Sequence, residues 1–372
     1  MNKLFERRIF LEVCSFNCSL VRFFGYFHFS VGSIRSREKN LKIDEYLRLI
    51  FYVVVGLFMS LKSSNINVGS RNSLIFQIGL TILLQLTIFM PTVFRIFNFI
   101  IRKKHEKVIE DINWIDEKLT AFGIEINHPK HFKAALVVTV FYFMSLYVAI
   151  GVDQYLYLNY LDQIEMDIVE GIFAFINIVA YMNYQVTHML IIDTVYLRFK
   201  YINQILENDI QNIKDIKTVR RIHIRLCDAM SSINACYTLN LLNFFFQFTF
   251  FNIFFYFGLM HQIIYGSSFE EVIFSIIVFA YVQFFFWFGA WIILHSALMK
   301  SEVGNMEGIV LQRMMDSKSR EIMKHMNLLN FQIDHEKIEV SAGLFNIDWT
   351  FLFAIIGTVF SYLIVLLQFD TS

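Results

Sequence analysis

Proline is almost missing from this chain, with two in 372 residues, at Pro91 and Pro129. With so few breakers, helices can run long, and the paired Gly/Pro-interrupted segments of many secondary transporters have no counterpart. Cysteine is scarce as well: Cys14, Cys18, Cys227 and Cys236 form no Cys-x-x-Cys pair. There is no nucleotide-binding glycine loop and no His-Glu-x-x-His pattern, so the usual sequence grounds for an enzyme are lacking. His128 and His131 flank Pro129 without a third ligand nearby. No metal or cofactor is expected. Charge of one sign is not in excess either, 32 basic against 32 acidic residues, which gives no footprint for nucleic acid.

What is abundant is apolar surface. The chain is 56% hydrophobic and 17% aromatic, with 43 Phe, which places it among polytopic helical membrane proteins. A bilayer core demands about 20 apolar residues per helix. Seven such stretches are read at about 46–61, 74–101, 134–155, 168–192, 241–265, 272–298 and 347–369. With no internal repeat, low-complexity tract or long linker, residues 1–372 are expected to form a single all-α membrane domain.

The basic residues orient it. Those up to Arg48, from Arg95 to Lys133, from Arg198 to Arg225 and from Lys300 to Lys337 make 30 of the 32, and only Lys62 and Arg71 fall in the alternate loops. By the positive-inside rule the N-terminus is cytoplasmic and the C-terminus extracellular. That orientation is opposite to a G-protein-coupled receptor. All four cysteines then lie inside, where no disulfide is expected, and the one glycosylation sequon, at Asn17, is expected to stay unmodified. Eight acidic residues face outward against those two basic ones, which modestly favours a cation path. No cleavable signal is read at the N-terminus. Val13 to Val31, with Phe16, Phe23, Phe24, Tyr26 and Phe27, is read as an amphipathic helix lying on the membrane.

Two inner connections, near 193–240 and 299–346, carry apolar residues at helical spacing among charges. Ile202, Ile205, Ile213, Ile216, Val219, Ile222 and Leu226 recur in the first, and Met306, Ile309, Val310, Met314, Met323, Met326 and Leu329 in the second. Both are expected to be helices that extend below the membrane and pack together.

The last apolar stretch carries polar groups that need a reason. A Gln amide facing lipid costs a few kcal/mol of desolvation, so Gln368 should face protein or water. Thr358, Ser361, Val365 and Gln368 are spaced by three, four and three residues and share a helix face. If copies met around an axis, Gln368 would replace part of a cation's hydration, and Val365 and Phe369 would form apolar constrictions. The residues alone equally allow Gln368 to cap the outer end and Tyr362 to pack internally.

The string Ser361-Tyr362-Leu363-Ile364-Val365-Leu366-Leu367-Gln368-Phe369 resembles the Thr-Tyr-five-apolar-Gln-Phe signature of the last helix of insect gustatory receptors, with Ser361 where Thr is usual. The segment Ser341 to Asp348 resembles the same family's approach to that helix. These receptors belong to the insect chemoreceptor superfamily and are related to insect odorant receptors. The resemblance implies an inverted seven-helix fold and tetramers, homomeric or heteromeric with other gustatory receptors, joined by an intracellular anchor. It also implies a last helix whose Gln and apolar neighbours line a cation pore. A plasma-membrane protein of gustatory neurons, surrounded by lipid and gated by a small-molecule tastant, follows from it. The sugar branch commonly carries Glu after the signature Tyr, where this chain has Leu363, so a bitter or repellent ligand fits better than a sugar. The family's pocket lies in the outer half of the bundle, where topology alone offers Tyr147, Asn177, Tyr181, Tyr281 and Gln283. A metabotropic receptor with cytoplasmic partners and a small-solute transporter are the alternatives.

Overall fold

The computed structural model describes residues 18–27, 43–63, 74–126, single positions between 133 and 144, and then 168–208, 212–265, 269–317, 319–336 and 338–370. Eight named helices run through the described residues: α1 Ile43–Ser63, α2 Leu74–Ile100, α3 Arg102–Ala121, α4 Ile168–Glu207, α5 Ile213–Tyr265, α6 Phe269–Asp316, α7 Arg320–His335 and α8 Trp349–Asp370. Six of the apolar stretches coincide with α1, α2, α4, α5, α6 and α8, while 134–155 lies largely outside the described residues. Among the described residues two helical stretches, Ile213–His261 and Trp349–Phe369, are long and apolar enough to cross a membrane.

Length shows what the apolar scan alone leaves open. At 1.5 Å per residue, the 53 residues of α5 reach about 80 Å, far beyond a hydrocarbon core of about 30 Å. Helices α4, α5 and α6 therefore each join an apolar half to a charged half without a break. In the charged halves Ile202, Ile205, Ile216, Val219, Ile222, Leu226, Met306 and Val310 are buried together. Helix α7 adds Met326, Leu329 and Ile333 to the same core against α5 and α6. The expected helical extensions are thus present. Met323 is the exception in that set, since it faces outward.

Helix α3 is one the apolar scan passes over, because its composition is polar. It is amphipathic: Val108, Ile109, Ile112, Ile115 and Leu119 form a buried stripe, with Asp111 and Asp116 buried beside them. That stripe lies against α5 and α4.

The N-terminal segment departs from its reading as a surface helix. Among the described residues 18–27, 18–23 are helical, and the helix closes with Gly25 at φ +78°. Gly25 N–H donates to the Arg22 carbonyl at 3.0 Å and Tyr26 N–H to the Val21 carbonyl at 3.0 Å, the paired bonds of a Schellman cap. The reversal turns Tyr26 and Phe27 inward, where they and Cys18 are buried, while Phe23 stays exposed. Tyr26 and Phe27 thus fill the protein interior rather than a lipid interface. Tyr26 packs its ring 5.3 Å from that of Tyr184, and Arg22 pairs with Glu45 at 2.9 Å to hold the segment on α1.

Candidate functional site

The approach to α8 is built by backbone bonds. Ala342 N–H donates to the Phe345 carbonyl at 3.0 Å and Ile347 N–H to the Val340 carbonyl at 2.9 Å, around Gly343 at φ +77°. Asn234 of α5 pins this turn, giving its amide hydrogens to the Glu339 carbonyl at 2.8 Å and accepting from Ser341 N–H at 3.1 Å. Asp348 then caps the helix by accepting from Phe351 N–H at 3.0 Å. Residues 341–348 are therefore a folded socket that sets the angle at which α8 leaves.

Helix α8 packs chiefly on α5. Leu352, Ile355, Val359 and Leu363 are its buried residues. At 3.6 residues per turn these four fall on one side, and Thr358, Ser361, Val365 and Gln368 fall on the opposite one. In this single chain all four of those residues are exposed, Val365 at 42%, and Phe369 beside them at 70%. The Thr358 hydroxyl donates to the Ala354 carbonyl and that of Ser361 to the Gly357 carbonyl, both at 2.8 Å, so the stripe is polar yet internally satisfied. Tyr362 is exposed rather than packed inside the chain.

Of the residues offered for a ligand pocket, Asn177, Tyr181 and Gln283 have described side chains. Tyr147 lies outside the described residues, and the side chain of Tyr281 is likewise not described. Gln283 donates to Asn252 Oδ1 at 2.5 Å, linking α6 to α5. Asn177 and Tyr181 instead join a buried polar seam where α2, α4 and α5 meet. There Arg95 donates to Asn177 at 2.9 Å, and the Tyr181 hydroxyl accepts from Gln185 at 3.1 Å and from Asn243 at 3.5 Å. The Tyr184 hydroxyl donates to Asn98 at 2.9 Å, while His188 stacks on Tyr237 with centroids 4.0 Å apart. A cavity beside the seam, lined by Cys18, Phe27, His105, Thr187, Cys236 and Tyr237, has a volume of about 10 Å³. That is room for about one water, not for an organic ligand.

Below the seam, Arg198 and Asp116 form a two-pronged buried pair, which sequence reasoning missed. A signal existed: Asp116 sits inside the apolar stripe of α3, where a carboxylate requires a partner. His223 of α5 accepts at Nδ1 from Gln332 of α7 at 2.7 Å, and burial pushes its pKa down to about 4. Burial also holds the Cys18, Cys227 and Cys236 thiols up at about 12, protonated and unreactive.

The sequence profile described as "7tm Chemosensory receptor" matches residues 15–372. The chain belongs to the 7tm chemosensory receptor family. Its fold is shared by the insect olfactory receptor OR5 from Machilis hrabei, with a TM-score of 0.70 over 95% of this chain and 96% of that one, at 14% identity. The structure of OR5 in complex with eugenol matches over the same shares with a TM-score of 0.53 at 13% identity. Gustatory receptor 28b of Drosophila melanogaster is 40% identical to this chemosensory receptor over 79 residues, 21% of this chain and 16% of that protein's length. The family is one of receptors rather than of enzymes.

Proposed function

We propose that this chemosensory receptor is a gustatory receptor, a ligand-gated non-selective cation channel of the plasma membrane that opens to small-molecule tastants and drives acceptance or avoidance. In this reading it is one seven-helix domain with its N-terminus inside, and four copies assemble around an axis lined by α8. One observation carries it: α8 commits its face of Leu352, Ile355, Val359 and Leu363 to α5 and leaves the opposite face of Thr358, Ser361, Val365 and Gln368 open. A helix that only anchored the chain in lipid would turn its polar residues toward the protein. Four such faces meeting would place Gln368 amides around a hydrated path, with Val365 and Phe369 as apolar rings able to dewet and close.

The ligand is a small organic molecule, in keeping with the eugenol complex of OR5. Leu363 after the signature Tyr362 favours a bitter or repellent compound over a sugar. Binding in the outer bundle must favour the open state over the closed one, because equal affinity shifts nothing. Whole-cell recording from cells expressing the chain alone, during a screen of bitter compounds, sugars and amino acids, tests this. Ligand-evoked cation current is the expected result. Surface-expressed receptor that passes no current, together with permeation indifferent to substitution at Val365, Gln368 and Phe369 in any active assembly, refutes it.

A further inference from the structure

Arg95 of α2 is a guanidinium with 0% exposure and no carboxylate of its own among the described residues. Its Nε donates to the Phe24 carbonyl at 2.9 Å and its Nη2 to Asn177 Oδ1 at 2.9 Å. The rings of Tyr26 and Tyr52 cover it, with centroids 5.0 and 4.5 Å away. Among the described residues Nη1 meets no acceptor. Asp44 and Glu45, the acids of α1, are taken by Arg22 and Arg48. Burying a charge is unfavourable, and two aromatic faces offset only part of that penalty.

Among the described residues, several that are bonded to this cation, stacked on it or one turn from it carry open donors. Asn177 turns Oδ1 to Arg95 and leaves Nδ2 without a partner. Asn98, one helical turn after Arg95, turns Oδ1 to the Tyr184 hydroxyl and leaves its own Nδ2 open. The Tyr26 hydroxyl is open as well, and all three residues are at most 2% exposed. Nη1 shares a carbon with Nη2, and Asn177 Nδ2 shares one with Oδ1, so two open donors flank the same bonded pair. Water would satisfy the donors and leave the charge; an anion does both.

We propose that Arg95, Asn177, Asn98 and Tyr26 bind a small monovalent anion of the chloride class, which neutralises Arg95 and ties the segment 18–27 to α2 and α4. The site is independent of conduction along α8. The test is thermal unfolding of the purified full-length receptor at constant ionic strength, with sodium gluconate exchanged stepwise for sodium chloride or sodium bromide. A saturable rise of the midpoint by a few degrees in chloride and in bromide is expected. Asn177→Asp sets a carboxylate against Arg95 and should hold the raised midpoint in gluconate, with no further response to chloride. Tyr26→Phe keeps the ring, removes one donor, and should need several-fold more chloride. Equal wild-type midpoints in gluconate and chloride overturn the proposal, as does a chloride response undiminished in both variants.

Discussion

Arg198 lays its guanidinium edge-on against the carboxylate of Asp116, Nε to Oδ1 and Nη2 to Oδ2, each at 2.9 Å, and so locks α3 to α4. The side chains are 1% and 9% exposed. Removing one partner takes from the other the opposite charge that its two-pronged pair supplies. Asp116→Asn or Arg198→Met should therefore destabilise the receptor by about 3–5 kcal/mol, whereas replacing both with apolar residues of similar volume should cost far less. Unfolding midpoints of the two single variants and the double variant decide the matter.

Acidification should loosen the contact between α5 and α7. His223 titrates near 6.5 when unfolded and near 4 when folded, because burial disfavours its imidazolium. Between those values the unfolded chain binds more protons, so the contribution is complete above about pH 6.5 and is lost as pH falls toward about 4. The slope is at most about 1.4 kcal/mol per pH unit. Unfolding midpoints at about pH 7 and about pH 5 should differ more in the wild type than in His223→Leu.

The two faces of α8 should respond differently to substitution. Ile355→Ala or Leu363→Ala opens a gap against α5 and should cost about 1–2 kcal/mol, less than in a soluble core because lipid is as apolar as the packing it replaces. Ser361→Ala should leave stability within about 0.5 kcal/mol. Gln368→Glu should assemble normally and change cation selectivity or block, and Val365→Ala should raise the current passed without ligand. Midpoints and reversal potentials measured on the same set separate packing from conduction.

The turn before α8 depends on a left-handed residue. Gly343→Ala forces a side chain into φ +77° and brings its Cβ to 3.1 Å from Thr238 Cγ2. A loss of about 1–2 kcal/mol is expected from the backbone alone. Adding Thr238→Ser removes the contact and should recover only the remainder of the loss, as measured by unfolding of the single and double variants.

Much of the helical framework is legible along the chain. Stretches such as 74–101 and 241–265 announce themselves because a bilayer core demands about 20 apolar residues in a row. The recurrence of Ile216, Val219, Ile222 and Leu226 announces a buried helix face in the same way. Helix α3 escaped because its apolar residues are a stripe within a polar composition. The segment 18–27 escaped because an aromatic amphipathic stretch looks the same whether its rings meet lipid or protein. The pocket residues rest on depth alone, and depth does not say which neighbour a side chain meets.

By itself, the order of residues determined the all-helical class, the places of the long apolar segments and the polar stripe of α8, since each follows from local periodicity and solvent preference. Only the tertiary structure decided that Tyr26 lies over Arg95, that Asp116 meets Arg198 across 82 positions of chain, and that Leu352, Ile355, Val359 and Leu363 are the face α8 gives to α5. Those pairings join residues far apart along the chain. No periodicity encodes them, because they are set by which helices pack together and at what height.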